Sequence, residues 1–193
     1  MSNAYTNCYN LTGSPICGNN VSTMMNAYNN CFNLTGTPAC GENVASMNHA
    51  YYNCQNLTGS PACGNKVWSM FYTYYNCFNL TGAPACGNSV THMNYAYANC
   101  KNLSGNAYFY SESVWYATGC FFNRSNNYAL NLYVKSNSRT FNTCTITTTS
   151  SIVKSTITWT NDMATNGCYY NTAYNIYIYP VANVAAAREA NGD

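Results

Sequence analysis

A 23-residue unit recurs five times in register through the first half of this chain, and it limits the fold more than any other feature. Met1, Met24, Met47, Met70 and Met93 open successive copies without an insertion. Cys8, Cys31, Cys54, Cys77 and Cys100 keep the same register, as do Leu11, Leu34, Leu57, Leu80 and Leu103. A fixed period of this length predicts a solenoid, in which a unit too small to bury its own apolar face buries it against its neighbours. Within one unit, Val21, Met24, Ala27, Tyr28, Cys31 and Leu34 follow one another at spacings of three and four. That pattern predicts a short helix over about residues 20–31. Gly18 and Gly41 supply turns before it, and the NLTG run after the cysteine reads as an extended stretch closed by Pro15, Pro38, Pro61 or Pro84. Coils about 4.8 Å apart would make a stub of about 25 Å. The columns Asn7/Asn30/Asn53/Asn76/Asn99 and Asn10/Asn33/Asn56/Asn79/Asn102 are placed to hydrogen-bond along it, satisfying loop groups that would otherwise be buried unpaired.

Composition removes several classes of function. Charged residues are 6 % of the chain and the net charge is +2, so there is no nucleic-acid or anionic-membrane footprint. Apolar residues reach 47 %, too many for a disordered chain. No run approaches the roughly 20 apolar residues that span a bilayer. The opening MSNAYTNCYN shows neither the basic nor the apolar part of a signal peptide, so either a leader has been removed from a longer chain or the protein reaches the outside without one, as virion components released by lysis do; the second is favoured.

The chemistry-bearing residues offer little for catalysis. The 12 cysteines contain no CxxC, so neither a zinc ribbon nor a redox pair is expected. Cys8 with Cys17, Cys31 with Cys40, Cys54 with Cys63 and Cys77 with Cys86 read either as disulfides within coils or as two columns of buried thiols, and the thiol reading is preferred. His49 and His92 stand in slots otherwise held by Asn, Tyr, Thr and Ser, which suggests solvent-facing positions. Glu42, Glu112, Asp162, Glu189 and Asp193 are scattered. No enzyme activity, metal or cofactor is expected. The Asn-Leu-Thr runs at Asn10, Asn33, Asn56 and Asn79 read as ladder residues ahead of glycan acceptors.

The run V-x-x-M-x-x-A-Y-x-x-C-x-x-L-T, at Val44, Met47, Ala50, Tyr51, Cys54, Leu57 and Thr58, resembles the BspA-like leucine-rich repeats of bacterial surface proteins, which also occur in proteins of gut phages and host-associated microbes. The resemblance covers about residues 1–105. It departs where GSPACG replaces a longer apolar strand. It implies adhesion or protein interaction without enzymatic activity, and inward-facing Val, Met, aromatic, Cys and Leu positions.

Beyond the repeats, YALNLYV (128–134), TFNTCTITTT (140–149), IVKSTITWT (152–160) and YNIYIYPV (174–181) read as strands, and NVAAAREANGD as a short helix from Asn183 ending at Gly192. The expected fold class is an α+β solenoid of leucine-rich-repeat-like coils over residues 1–105, capped by a β-rich region over 106–193 that either continues the stack or forms its own unit. Function is then expected where coils depart from their consensus. Trp68, Tyr72 and Tyr75, spaced i, i+4 and i+7, share one helical face, and stacking should bring His49, Tyr52 and Tyr95 to them as an aromatic binding patch. The expected role is extracellular: an attachment or decoration module, such as a phage tail or head appendage, binding protein or glycan on a cell surface. The alternatives are an assembly protein joining virion subunits or its own copies through the coil faces, and a bacterial surface adhesin.

Overall fold

The computed structural model describes residues 1–135, 160–162, 166–171 and 175–193. Its first five units are stacked loops built from consecutive turns. From Met24, backbone N–H groups alternate between two jobs. Those of Ala27, Cys31 and Leu34 close turns onto Met24, Tyr28 and Cys31 at 2.8, 3.1 and 3.2 Å. Those of Met24, Asn26, Tyr28 and Asn30 reach the next unit, donating to the carbonyls of Ser46, Asn48, Ala50 and Tyr52 at 2.8–3.0 Å. Asn26 and Asn30 take φ of 53° and 61° at the third position of two such turns, a conformation Asn tolerates better than most residues.

The helix expected over 20–31 is therefore absent. The three- and four-residue spacings come from turn corners, while every second N–H is spent between units. Nor is there a strand at the NLTG runs, which touch the preceding unit through bonds such as Thr35 N–H to the Gly13 carbonyl, 3.0 Å. Parallel bridges instead run through Thr23, Ser46, Ser69, His92 and Tyr116, just ahead of each turn series.

The repeated apolar positions do face inward. Met24, Met47, Met70 and Met93, with Leu34, Leu57, Leu80 and Leu103, are at most 1 % exposed. Tyr28, Tyr51, Tyr74 and Tyr97 act as struts across the coil interior. The Tyr74 hydroxyl donates to the Ala62 carbonyl at 2.6 Å and accepts from the Ala62 N–H at 3.1 Å, and the other three repeat this with Ile16, Ala39 and Ala85. Each phenol thus buries its ring without stranding its polar end. Sulfur does similar work: the thiols of Cys31, Cys54, Cys77 and Cys100 donate at 3.0 Å to the carbonyls of Tyr5, Tyr28, Tyr51 and Tyr74. All described cysteines are free thiols, so the disulfide alternative for the repeat columns does not hold. Burial pushes Cys31 up to about 11 and the deeper Cys54 and Cys77 further, which leaves them inert.

Asn7, Asn30, Asn53, Asn76, Asn99 and Asn123 form an unbroken amide ladder at 2.6–2.8 Å. The second asparagine column is irregular: Asn79 donates to Asn56 at 3.4 Å, whereas Asn33 and Asn102 turn to the carbonyls of Tyr9 and Phe78. Gly87 packs so closely that a Cβ there would lie 2.4 Å from the Gly64 carbonyl oxygen.

A sixth coil follows, offset by one residue. Met93, Tyr95, Tyr97 and Asn99 donate to the carbonyls of Tyr116, Thr118, Cys120 and Phe122, and Phe121 stacks on Tyr97 at 5.6 Å. Cys120 thus takes the slot of Ala96, and the slot of Cys100 falls to Arg124. That guanidinium is 4 % exposed and donates to the carbonyls of Leu103, Ser125 and Tyr128, while burial lowers it to about 10.

Beyond residue 105, two described strands stay in parallel register with the coils. β1 (Gly105–Phe109) is bridged to Cys86 and pairs in parallel with β2 (Leu130–Lys135). β3 (Thr160–Asp162), β4 (Cys168–Asn171) and β5 (Ile176–Val181) complete a sheet in the order β1-β2-β5-β4-β3. β2 and β5 realise the expected strands at 128–134 and 174–181. The strand expected at 140–149, and that at 152–160 apart from its last residue, lie outside the described residues. Helix α1 (Val184–Ala190) starts at Asn183, whose side chain accepts from the N–H groups of Ala185 and Ala186 at 3.0 and 3.1 Å.

Candidate functional site

One arc of the stack carries aromatic rings where other coils carry asparagine. Its backbone follows from the turn series: Asn3, Asn26, His49, Tyr72, Tyr95 and Gly119 occupy equivalent corners, all with positive φ. At the ends of this column Asn and Gly suit the left-handed conformation. In the middle three coils it is forced on His49, Tyr72 and Tyr95, at 53–54°.

These rings form a ladder. His49 stacks on Tyr72 at 5.3 Å and Tyr72 on Tyr95 at 4.9 Å, with interplanar angles of 6° and 19°. Beside it, Tyr52 stacks on Tyr75 at 5.1 Å. Tilted contacts join the two rows, Tyr72 to Tyr75 at 5.2 Å and His49 to Tyr52 at 5.6 Å, and Phe71 sets its edge against His49 and Tyr72. The upper end closes on Gly119, where any Cβ would sit 2.5 Å from the Tyr95 ring. Burial and the neighbouring Tyr95 phenol raise Tyr72, and burial alone lowers His49.

Five of the six expected residues, His49, Tyr52, Tyr72, Tyr75 and Tyr95, are therefore joined. Trp68 is not stacked with them. Without a helix, the i, i+4 relation does not carry it to Tyr72. Trp68 instead meets His92 at right angles, 5.5 Å between centroids, and His92 meets Tyr116 at 4.6 Å. Both histidines are half-buried among rings, unlike the solvent-facing slots their columns suggested. Trp115 belongs to this second group through the backbone: its N–H donates to the Thr91 carbonyl at 2.8 Å, and the Thr91 N–H to the Trp68 carbonyl at 2.9 Å. Phe71, His92, Trp115 and Tyr116 escaped the sequence reading. Trp115 stands 24 residues from Thr91, so only the one-residue offset aligns it with Trp68.

Among the described residues, no cluster of three or more His, Cys, Asp or Glu is grouped to hold a metal ion, and no helix is long and apolar enough to cross a membrane. No protein-family model, curated protein or solved structure matches this chain.

Proposed function

We propose that the stacked coils are a leucine-rich-repeat-like solenoid, with turns in place of the helix, that serves as a non-catalytic recognition module outside the cell and attaches through its aromatic arc. The observation that carries this reading is the placement of His49, Tyr72 and Tyr95 at left-handed corners. Bulky side chains there cost of order 1 kcal/mol or more, and Asn or Gly fill the same corners in neighbouring coils without that cost. A cost accepted three times in adjacent coils marks rings wanted for their own sake. Tyr and Trp give rigid contact area with a polar edge, which suits recognition. The resemblance to BspA-like surface repeats supports the same reading.

The test uses fluorescently labelled protein on a panel of intact bacterial and epithelial cells, beside a triple variant His49→Asn, Tyr72→Asn, Tyr95→Asn. The variant should keep its thermal transition and lose cell binding. Equal binding by the variant, or none by the native protein, overturns attachment through this arc. A stable multimer in solution that the triple variant dissociates would instead assign the arc to self-assembly.

A further inference from the structure

The two cysteine columns differ in what surrounds the sulfur. In the column from Cys31 to Cys100 each thiol is fully buried and bonded at 3.0 Å to a carbonyl of the preceding coil. In the other column Cys17, Cys40 and Cys63 are half-buried, and only Cys86 is closed off. All four thiols of this column make the same loose contact, 3.6–3.9 Å, with the carbonyl of the glycine that follows. Equivalent contacts mean equivalent rotamers, so successive sulfurs stand one coil step apart, about 4.8 Å. Three of these sulfurs also receive a backbone N–H from the next coil. Gly87 donates to Cys63 Sγ at 3.4 Å, and Gly64 and Ser111 donate to Cys40 and Cys86. Such bonds stabilise negative charge on sulfur and support a metal-bound thiolate from outside. Burial raises the Cys63 thiol to about 12 against the pull of the Gly87 N–H, so it keeps its proton until a strong ligand displaces it.

The last two thiols of the column line a cavity of about 250 Å³. Cys63 and Cys86 share its wall with Asn65, Pro84, Tyr110 and Arg188, while Cys17 and Cys40 lie outside it. The Arg188 guanidinium sits 6.0 Å from the centre of the Tyr108 ring and donates to the Tyr110 hydroxyl. Among the described residues no carboxylate lies within ion-pair distance of it. Asp193 instead accepts from Tyr108 and Asn106, at 2.5 and 2.9 Å. The cavity thus combines two sulfurs at a fixed separation with a positive charge.

That geometry selects among metals. A metal–thiolate bond is about 2.3 Å, so a cation held in line between two sulfurs needs them about 4.6 Å apart, close to one coil step. Zinc asks for four ligands around one point, and the described residues group no third His, Cys, Asp or Glu with this pair. Two thiolates in line suit a soft, closed-shell monovalent ion of the copper(I) or silver(I) type. Two thiols and one such ion give a dithiolate complex of charge −1 and release two protons to solvent, with no electron transferred. Arg188 supplies the balancing charge.

Going beyond the recognition reading and using none of its residues, we infer that Cys63 and Cys86 form a two-coordinate site for a soft monovalent cation such as copper(I), with Arg188 as the counter-charge.

The test titrates the full chain with copper(I) under nitrogen against a coloured copper(I) chelator, beside thermal melts of each variant. The native protein should take its first equivalent from the chelator, and X-ray absorption at the copper edge should show two sulfur ligands. Cys63→Ser and Cys86→Ser should each weaken that equivalent by about a hundredfold or more, and Arg188→Gln by about tenfold. Arg188 lies on the exposed side of α1, so its variant stays folded and decides the matter if a serine variant does not. Cys8→Ser removes the exposed thiol of the other column and should change the affinity by less than about twofold. An equal concentration of zinc should not compete. The site is overturned by an unchanged first equivalent in the folded serine variants or in Arg188→Gln, by its loss in Cys8→Ser, or by displacement with zinc. Three or more sulfur ligands, or a Cys63–Cys86 disulfide formed in place of binding, would overturn it as well. Cell binding through the arc should be the same with and without copper(I), so the two readings stand or fall separately.

Discussion

Two columns of left-handed residues climb the same stack four residues apart, and they are filled in opposite ways. One keeps asparagine in all six coils, from Asn7 to Asn123. The other begins with Asn3 and Asn26, changes to His49, Tyr72 and Tyr95, and ends with Gly119. The backbone demand is the same in both, so conformation alone does not explain the difference. The first column is held by its amide ladder, where each side chain between Asn7 and Asn123 both gives and accepts a bond. The second is released from that duty and exchanges conformational comfort for rings. One column maintains the stack; the other, on the proposed reading, meets something outside it.

The comparison breaks most readily at Asn76. Asn76→Ala forces a β-carbon into the left-handed region and removes bonds to Asn53 and Asn99, so it should cost about 3 kcal/mol of stability in a denaturant titration. Asn76→Gly restores the conformation but not the ladder and should cost about 2 kcal/mol; equal losses for the two variants would assign the whole effect to the amides. Tyr72→Asn should cost less than about 1 kcal/mol, because lost stacking is offset by relieved backbone strain. A loss as large as that of Asn76→Ala would make the rings structural and erase the contrast.

The smallest effect is a pH limb. An unfolded histidine titrates near 6.5, and burial lowers His49 below that. As pH falls through about 6.5 the unfolded chain takes up the proton first, so stability declines from there down to the lowered folded value and levels off below it. Melting temperature followed from pH 7.5 to 4.5 should show this decline in the native protein and a flatter one in His49→Asn.

The inward positions were legible because each repeats in every coil: a column of Met, Cys or Leu at a fixed period has no other good reading than a shared core. The Asn7 column was legible for the same reason. Local conformation was not. Spacings of three and four are shared by a helix and by a chain of turns closing at i−3, and only the inter-coil bonds of Met24, Asn26, Tyr28 and Asn30 separate them. That ambiguity joined Trp68 to Tyr72 on a face that does not exist, while the rings brought together by coil stacking alone were found. The sixth coil is shifted by a single extra residue, which concealed that Arg124 is the heir of Cys100 and Trp115 the counterpart of Trp68. The strand β1 gave no signal because Gly105 and Asn106 lack the β-branched pattern that marks β2 and β5.

That extra residue lies where the register passes from 23, Cys86 to Phe109, to 24, His92 to Tyr116. It is absorbed at Tyr110–Ser113, where Ser111 is 3 % exposed and donates to the Val90 carbonyl at 2.6 Å, replacing the tight glycine corner of earlier coils. The molecule therefore has an expansion joint. A foreign peptide grafted beside Ser113 should loop outward while the ladders below it keep their pairing. The same graft at Gly64 or Gly87 would wedge apart coils whose backbones already touch. Architectures of this kind are usually lengthened by copying whole units; at this corner the chain has been lengthened by one residue, and the amide ladder still runs across it from Asn99 to Asn123.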